Sequence, residues 1–162
     1  MAALNFPTSP TVNDIYTANS VSYLWNGTVW KNLTNGVKSI QLTAFDYTTD
    51  VSTGDGAAYF VIPSSLNGMN LVSCAAYVIT AGTTGTTDVQ VARVRSSTPV
   101  DMLSTKLTID STEIGTDTAA TAAVINGSND DVATHDRIRI DVDATSTTKA
   151  KGLIVVLNFQ LP

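Results

Sequence analysis

The sequence predicts an all-β protein: a jelly-roll-like antiparallel β-sandwich over residues 36–162, preceded by a small β-hairpin module over residues 1–35. Three observations lead there. The first is the stretch from Asp136 to Leu161, DRIRIDVDATSTTKAKGLIVVLNFQL. Arg137, Arg139, Asp141 and Asp143 alternate with Ile138, Ile140, Val142 and Ala144, the period of two that marks a half-buried strand. After a polar connection, Leu153, Val155, Leu157, Phe159 and Leu161 fall on one face of a second strand, and Ile154 and Val156 make its other face apolar too. A strand apolar on both faces has to be covered on both sides, as in an inner sandwich strand or at a subunit interface. The second observation is composition. Charged residues make up only 14% of the chain, against roughly a quarter in ordinary domains. Thr, Ser, Asn, Ala and Gly take their place; Thr suits a pleated surface, and Gly and Asn supply turns. The third is that no stretch reads as a long amphipathic helix, whereas about six to eight short apolar runs alternate with turn signals.

The elements follow in order. Phe6-Pro7 and Ser9-Pro10 give an extended lead-in. Val21–Trp25, Asn26-Gly27 and Thr28–Asn32 read as a hairpin with a two-residue type I′ turn. That register pairs Trp25 with Thr28, Leu24 with Val29 and Tyr23 with Trp30, so that Tyr23, Trp25 and Trp30 share a face. An isolated hairpin is marginal in water. This aromatic face therefore docks either on the chain's own sandwich or on a partner, and Tyr23, Trp25 and Trp30 are the candidate anchoring residues. Thr34-Asn35-Gly36 is a linker. Strands are predicted over 37–45, 57–62 (ended by Pro63), 71–80 as a central strand, 88–95 and 103–109, with a short apolar pair at Val124-Ile125. Ser64–Gly68 reads as one helical turn, and Asp117–Ala120 as the start of a short helix. The alternation in 88–95 is imperfect, because Arg93 and Arg95 share a face with Val89 and Val91.

The chain of 162 residues is long enough for one domain with a small appendage, and its apolar content of 43% suffices for a core. A net charge of −5 argues against nucleic acid as a partner, which needs a basic face. No run approaches the ~20 apolar residues of a membrane span. MAALNFPTSP lacks the basic start and apolar core of a secretory signal, which predicts synthesis in a cytoplasm.

Little chemistry is legible. The single Cys74 sits in an apolar run and reads as a small buried hydrophobe. His135, the one histidine, stands beside Asp136, but no Gly-x-Ser-x-Gly elbow accompanies it. Asp130-Asp131 and Asp141/Asp143 carry hard oxygens of the kind Ca²⁺ takes, without the EF-hand pattern; they read as solvated carboxylates, with Lys149 and Lys151 placed to neutralise Asp141 and Asp143. There is no Cys/His cluster for zinc and no phosphate-cradling loop. The residues predict no catalytic group, cofactor or metal. The doubly apolar last strand makes Ile154 and Val156 the candidate oligomer interface.

Two stretches resemble proteins of tailed-bacteriophage virions. Phe6-Pro7-Thr8-Ser9-Pro10-Thr11-Val12, with Tyr16 and then Tyr23-Leu24-Trp25-Asn26-Gly27-Thr28-Val29-Trp30, is similar to a short N-terminal module, FP-x-SP-T-x-G-x-x-Y followed by Y-x-W-(N/D)-G-x-x-W, at the front of phage fibre and structural proteins. Asn13-Asp14 stands where that pattern often has its glycine. Gly56 to Leu161, including Ile62–Gly68, Ala81–Asp88, Asp101–Ser104 and Ala150–Leu153, is similar to a β-rich, often trimeric domain of fibre and head-surface proteins. The resemblance implies a non-enzymatic structural protein on the virion surface. It is expected to be a homotrimer attached to another virion protein (major capsid, tail or adaptor protein) through its N-terminal module. The shortness of the chain favours capsid decoration (cement or head fibre). The rival is a short tail fibre that recognises a host surface glycan.

Overall fold

The computed structural model describes residues 5–19, 21–32 and 36–162. The chain forms two compact units, Met1–Val37 and Lys38–Gln160. All pairing between strands is antiparallel, and among the described residues there is no α-helix.

The first unit is a three-stranded sheet in the order β1 (Ile15–Ala18), β2 (Val21–Trp25), β3 (Trp30–Asn32). Strand β1 has no counterpart in the sequence reading; its run IYTA is too short to show a period. The hairpin register differs from the expected one. Trp25 pairs with Trp30, Leu24 with Lys31 and Tyr23 with Asn32, around a loop of Asn26 to Val29. The cause is Asn26. Its Oδ1 accepts the backbone N–H groups of Thr28 (3.0 Å) and Val29 (2.8 Å), which closes a longer loop than a type I′ turn. The shift is by two residues, so side-chain facing survives: Tyr23, Trp25 and Trp30 still share a face. The linker at Thr34-Asn35 lies outside the described residues.

In the second unit, one sheet runs β10 (Leu107–Ile109), β7 (Thr87–Arg95), β12 (Arg137–Ala144), β5 (Gly54–Val61), with β8 (Thr98–Asp101) also on β7. Another runs β4 (Lys38–Thr43), β13 (Lys151–Gln160), β6 (Asn70–Thr80). A third, small one pairs β11 (Val124–Ile125) with β9 (Leu103–Thr105). Segment 114–116 also lies along β6: Val78 N donates to Ile114 O (2.8 Å) and Thr116 N to Ala76 O (3.1 Å). The core is drawn from one face of each large sheet. Leu153, Val155, Leu157 and Phe159 with Leu71, Ala76 and Val78 come from the β4-β13-β6 sheet; Ile138, Ile140, Val142, Val89 and Val91 come from the other. Strands β12 and β13 are consecutive yet lie in different sheets, each hydrogen-bonded to a strand on both sides.

Several local expectations are corrected. The run 103–109 is two strands broken at Lys106, because β9 pairs with β11 and β10 with β7. Residues 117–120 are not helical; Asp110 and Glu113 take up the hydrogen-bonding groups of Ala120 and Thr118 instead. Strand β8 was not legible, because its turn uses Ser96 and Ser97 at φ 50° and 67°, positions where Asn or Gly ordinarily advertises the hairpin. Asp141 and Asp143 are neutralised by Arg139 (2.7 Å) and Lys106 (2.8 Å), not by Lys149 and Lys151. Lys151 turns to Asp50, 2.6 Å away. Nor is Asp141 a solvated carboxylate: it is buried and also accepts Gly56 N at 2.8 Å.

Candidate functional site

In the first unit, β1 and β2 set Tyr16 opposite Tyr23. Phe6, from the extended lead-in, closes over them: its ring meets Tyr16 at 5.3 Å, Tyr23 at 5.0 Å and Trp30 at 5.4 Å, the last stacked. Trp25 lies 5.6 Å from Trp30. Tyr23, Trp25 and Trp30 are thus half-buried in a small aromatic core that the unit builds for itself. Offset and edge-to-face pairs of this kind add ~0.5–1.5 kcal/mol each beyond their area. Among the described residues, the exposed large apolar side chains of this unit are Val12, Ile15, Val29 and Val37. Ile15 stands opposite Leu24, which stands opposite Lys31, on the face away from the aromatics. The sequence reading missed Phe6 and Tyr16 as parts of the cluster; the motif that contains them was the available signal.

In the second unit, the outward face of the β4-β13-β6 sheet carries Ile154 and Val156. Ile154 stands opposite Thr43 and Tyr77, Val156 opposite Gln41 and Ala75, and Asn158 opposite Ser39 and Ser73. None of these nine side chains is charged. The Asn158 amide ties the strands together, accepting from Ser39 Oγ (2.6 Å) and donating to Ser73 Oγ (2.8 Å). Ile154 and Val156 are half-buried, and the apolar band continues past Gly152 to exposed Ile79 and Tyr47. Gly152 has φ +66°, and a Cβ there would come within 2.8 Å of both Ile79 Cγ1 and Tyr47 Cα, so only glycine fits. The outward face of the other sheet is different in kind. There Arg139 bridges Asp141 and Asp55, and Arg137 is exposed.

A shallow cleft of about 310 Å³ beside β6 is lined by Tyr77, Thr112, Glu113, Ile114, Gly115, Asp117 and Thr118. The Tyr77 hydroxyl donates to both Asp117 oxygens (3.0 and 3.1 Å), and this bond raises its pKa. At one end of the unit, Arg93 and Arg95 explain the imperfect alternation of β7. They sit at the rim of the core and are met by carboxylates: Arg93 pairs with Asp131, and Arg95 with Asp131 (3.0 Å) and Asp136 (2.6 Å). Burial opposes charge on Asp131 and Asp136, but the guanidinium hydrogen bonds outweigh it and hold both carboxyls below their ordinary value. Basic residues in phase with an apolar face were the sequence signal for this network.

His135 is exposed in a turn at φ 73°, and its neighbour Asp136 is occupied by Arg95, so no triad is assembled. Among the described residues, no group of three or more His, Cys, Asp or Glu is placed to hold a metal ion. No helix among them is long and apolar enough to cross a membrane. The Cys74 thiol is half-buried, and burial pushes its pKa up to about 11. Alkylation of the folded protein by iodoacetamide at neutral pH should therefore be slow and should accelerate sharply in denaturant; equal rates would contradict the assigned burial. No protein-family model, no curated protein and no solved structure matches this chain.

Proposed function

We propose that this protein is a non-enzymatic structural component of a tailed-phage virion surface, a homotrimeric capsid decoration protein attached through its N-terminal unit. What carries this reading is the way the residues of the N-terminal motif converge. Phe6, Tyr16, Tyr23, Trp25 and Trp30 make one aromatic core. Asn13, where the pattern has its glycine, takes the left-handed φ of 77° that a glycine would, and Gly27 has φ +94°. The strand order gives further support. With 114–116 beside β6, the orders β4-β13-β6-(114–116) and β5-β12-β7-β10 follow the two four-stranded sheets of a jelly roll, an architecture shared by viral capsid and lectin domains. The uncharged outward face around Ile154 and Val156 suits burial between copies, and closed symmetry would cover it on every subunit.

Two experiments test this. Deleting residues 1–35 should leave a folded trimer that no longer binds virions; undiminished binding would refute the anchoring role of Tyr23, Trp25, Trp30 and their module. Light scattering should give a trimer for the whole chain, with Ile154→Lys or Val156→Lys splitting it and Asn158→Lys better tolerated. A soluble monomer at micromolar concentration would remove the interface. One observation favours the second reading, a tail-fibre protein that recognises a host glycan: the cleft combines the Tyr77 ring with the Asp117 and Glu113 carboxylates, a pairing suited to sugar faces and hydroxyls. Binding on a glycan array that is lost in Tyr77→Ala would favour it over decoration.

A further inference from the structure

The sequence contains Asn-Gly at 26–27, 35–36, 67–68 and 126–127. Three of these lie wholly within the described residues, and their geometries differ in ways that bear on their reactivity. At Asn67-Gly68, the Gly68 N–H donates to Val132 O at 2.8 Å, and Asn67 Oδ1 is turned to residue 134, accepting its N–H (2.9 Å) and hydroxyl (3.1 Å). At Asn26-Gly27, the Gly27 N–H has no hydrogen-bond partner among the described residues. Asn26 Oδ1 folds over its own loop and accepts two backbone N–H groups, Thr28 at 3.0 Å and Val29 at 2.8 Å. Asn126-Gly127 is intermediate. Among the described residues the Gly127 N–H has no partner, but Asn126 Oδ1 accepts one backbone N–H there, that of Ser128 at 3.1 Å.

We infer that Asn26 is a site of spontaneous intramolecular deamidation, with Asn126 slower and Asn67 protected. The chemistry needs only water. The Gly27 nitrogen loses its proton and attacks Asn26 Cγ, forming a C–N bond and placing negative charge on Oδ1. The two N–H donors already aimed at Oδ1 stabilise that charge, as donors in an oxyanion hole do. The Cγ–Nδ2 bond then breaks, the leaving nitrogen takes up a proton as ammonia, and a five-membered succinimide remains. Water opens the ring at either carbonyl, giving aspartate or its isomer with the backbone routed through the side chain. At Asn67 the first requirement fails, since the nucleophilic Gly68 nitrogen is engaged with Val132 O; Oδ1 does accept two donors, but both come from Thr134 and tie the amide to a different segment.

The consequence falls on the aromatic core. Asn26 closes the loop that pairs Trp25 with Trp30. The isomerised product inserts an extra backbone atom into that loop and changes its reach, whereas plain aspartate retains the side-chain acceptor. The inference is independent of any role for the protein on a virion.

Incubating the full-length protein at mildly alkaline pH, with peptide mapping by mass spectrometry over time, tests it. Conversion at Asn26 should run roughly tenfold or more ahead of Asn67, since withdrawing one amide hydrogen bond changes a rate by about that factor. Asn126 should fall between them. In denaturant the three sites should converge, because the difference lies in the fold. Ageing should also shift tryptophan emission in the wild type but not in Asn26→Gln, which forms a six-membered ring far less readily. The inference is overturned if Asn67 converts as fast as Asn26 in the folded protein, or if the ranking persists unchanged in denaturant.

Discussion

Phe159→Ala should destabilise the second unit by about 3–5 kcal/mol, the range for emptying a phenylalanine site in a packed core. Phe159 is fully buried on β13, between Lys38 of β4 and Leu71 of β6, with Leu157 and Val155 continuing its face. The strand register shifts beside it, between Asn158 and Phe159, with Val72 as the extra residue on β6. Such a bulge fixes where the ring points and limits how far the site can collapse around alanine. At ~2–4 °C per kcal/mol for a chain of this size, the melting temperature should drop by roughly 6–20 °C. Denaturant and thermal unfolding at fixed protein concentration measure it. A loss below ~1 kcal/mol would mean that the ring is not part of the core.

Asp136→Ala should cost about 2–3 kcal/mol at neutral pH. The Asp136 carboxylate accepts three hydrogen bonds from Arg95 (2.6, 2.9 and 3.1 Å) and one from Ala133 N (2.8 Å), and its side chain is only 4% exposed. Removing it strands the Ala133 N–H and takes from Arg95 its closest partner. The cost falls short of the ~3–5 kcal/mol for a fully buried pair because the Arg95 side chain is 40% exposed and regains water. The pH dependence has a definite sign. Asp136 and Asp131 are held below their ordinary value of 3.8 when folded, so their stabilisation is complete above that value. It is lost as pH falls through their lower folded values. Wild-type stability should therefore decline in the acid range, and the gap between wild type and Asp136→Ala should narrow there. A gap that is constant from neutral to strongly acid pH would show that the charge contributes nothing.

Much of the second unit was legible because its strands are long and their patterns strong. Leu153, Val155, Leu157 and Phe159 show a buried face four residues deep, whereas Ile154 and Val156, expected to need cover from another sheet or chain, lie half-buried on the outward face of the sheet. What the sequence concealed was set by groups without a period. The hairpin loop is two residues longer than Asn26-Gly27 suggests because a side-chain oxygen competes for the turn's N–H groups. Strand β8 is hidden by serines in left-handed conformations that serine seldom adopts. The salt-bridge partners were misjudged because Lys106 and Asp143 are near each other in the sheet but far apart along the chain. Among the candidate surfaces, Tyr23, Trp25 and Trp30 could be grouped from alternation alone. That Phe6 and Tyr16 complete the group depends on how the chain doubles back, which alternation does not encode.

The placement of β13 has a kinetic corollary. Its partner β4 is synthesised far earlier; the hydrogen bond from Ser39 to Asn158 spans 119 residues. At ribosomal speeds of ~5–20 residues per second, β4 emerges and waits on the order of ten seconds for the strand that will hold it. During that time β4 and β6 have a vacancy between them, and their apolar faces lack their central neighbour. The first unit has no such delay, since Ile15 pairs with Leu24 and Trp25 with Trp30 almost as soon as they leave the exit tunnel. Folding of this chain is thus divided in time: a local, low-contact-order unit forms early, and a non-local one closes only when its central strand arrives.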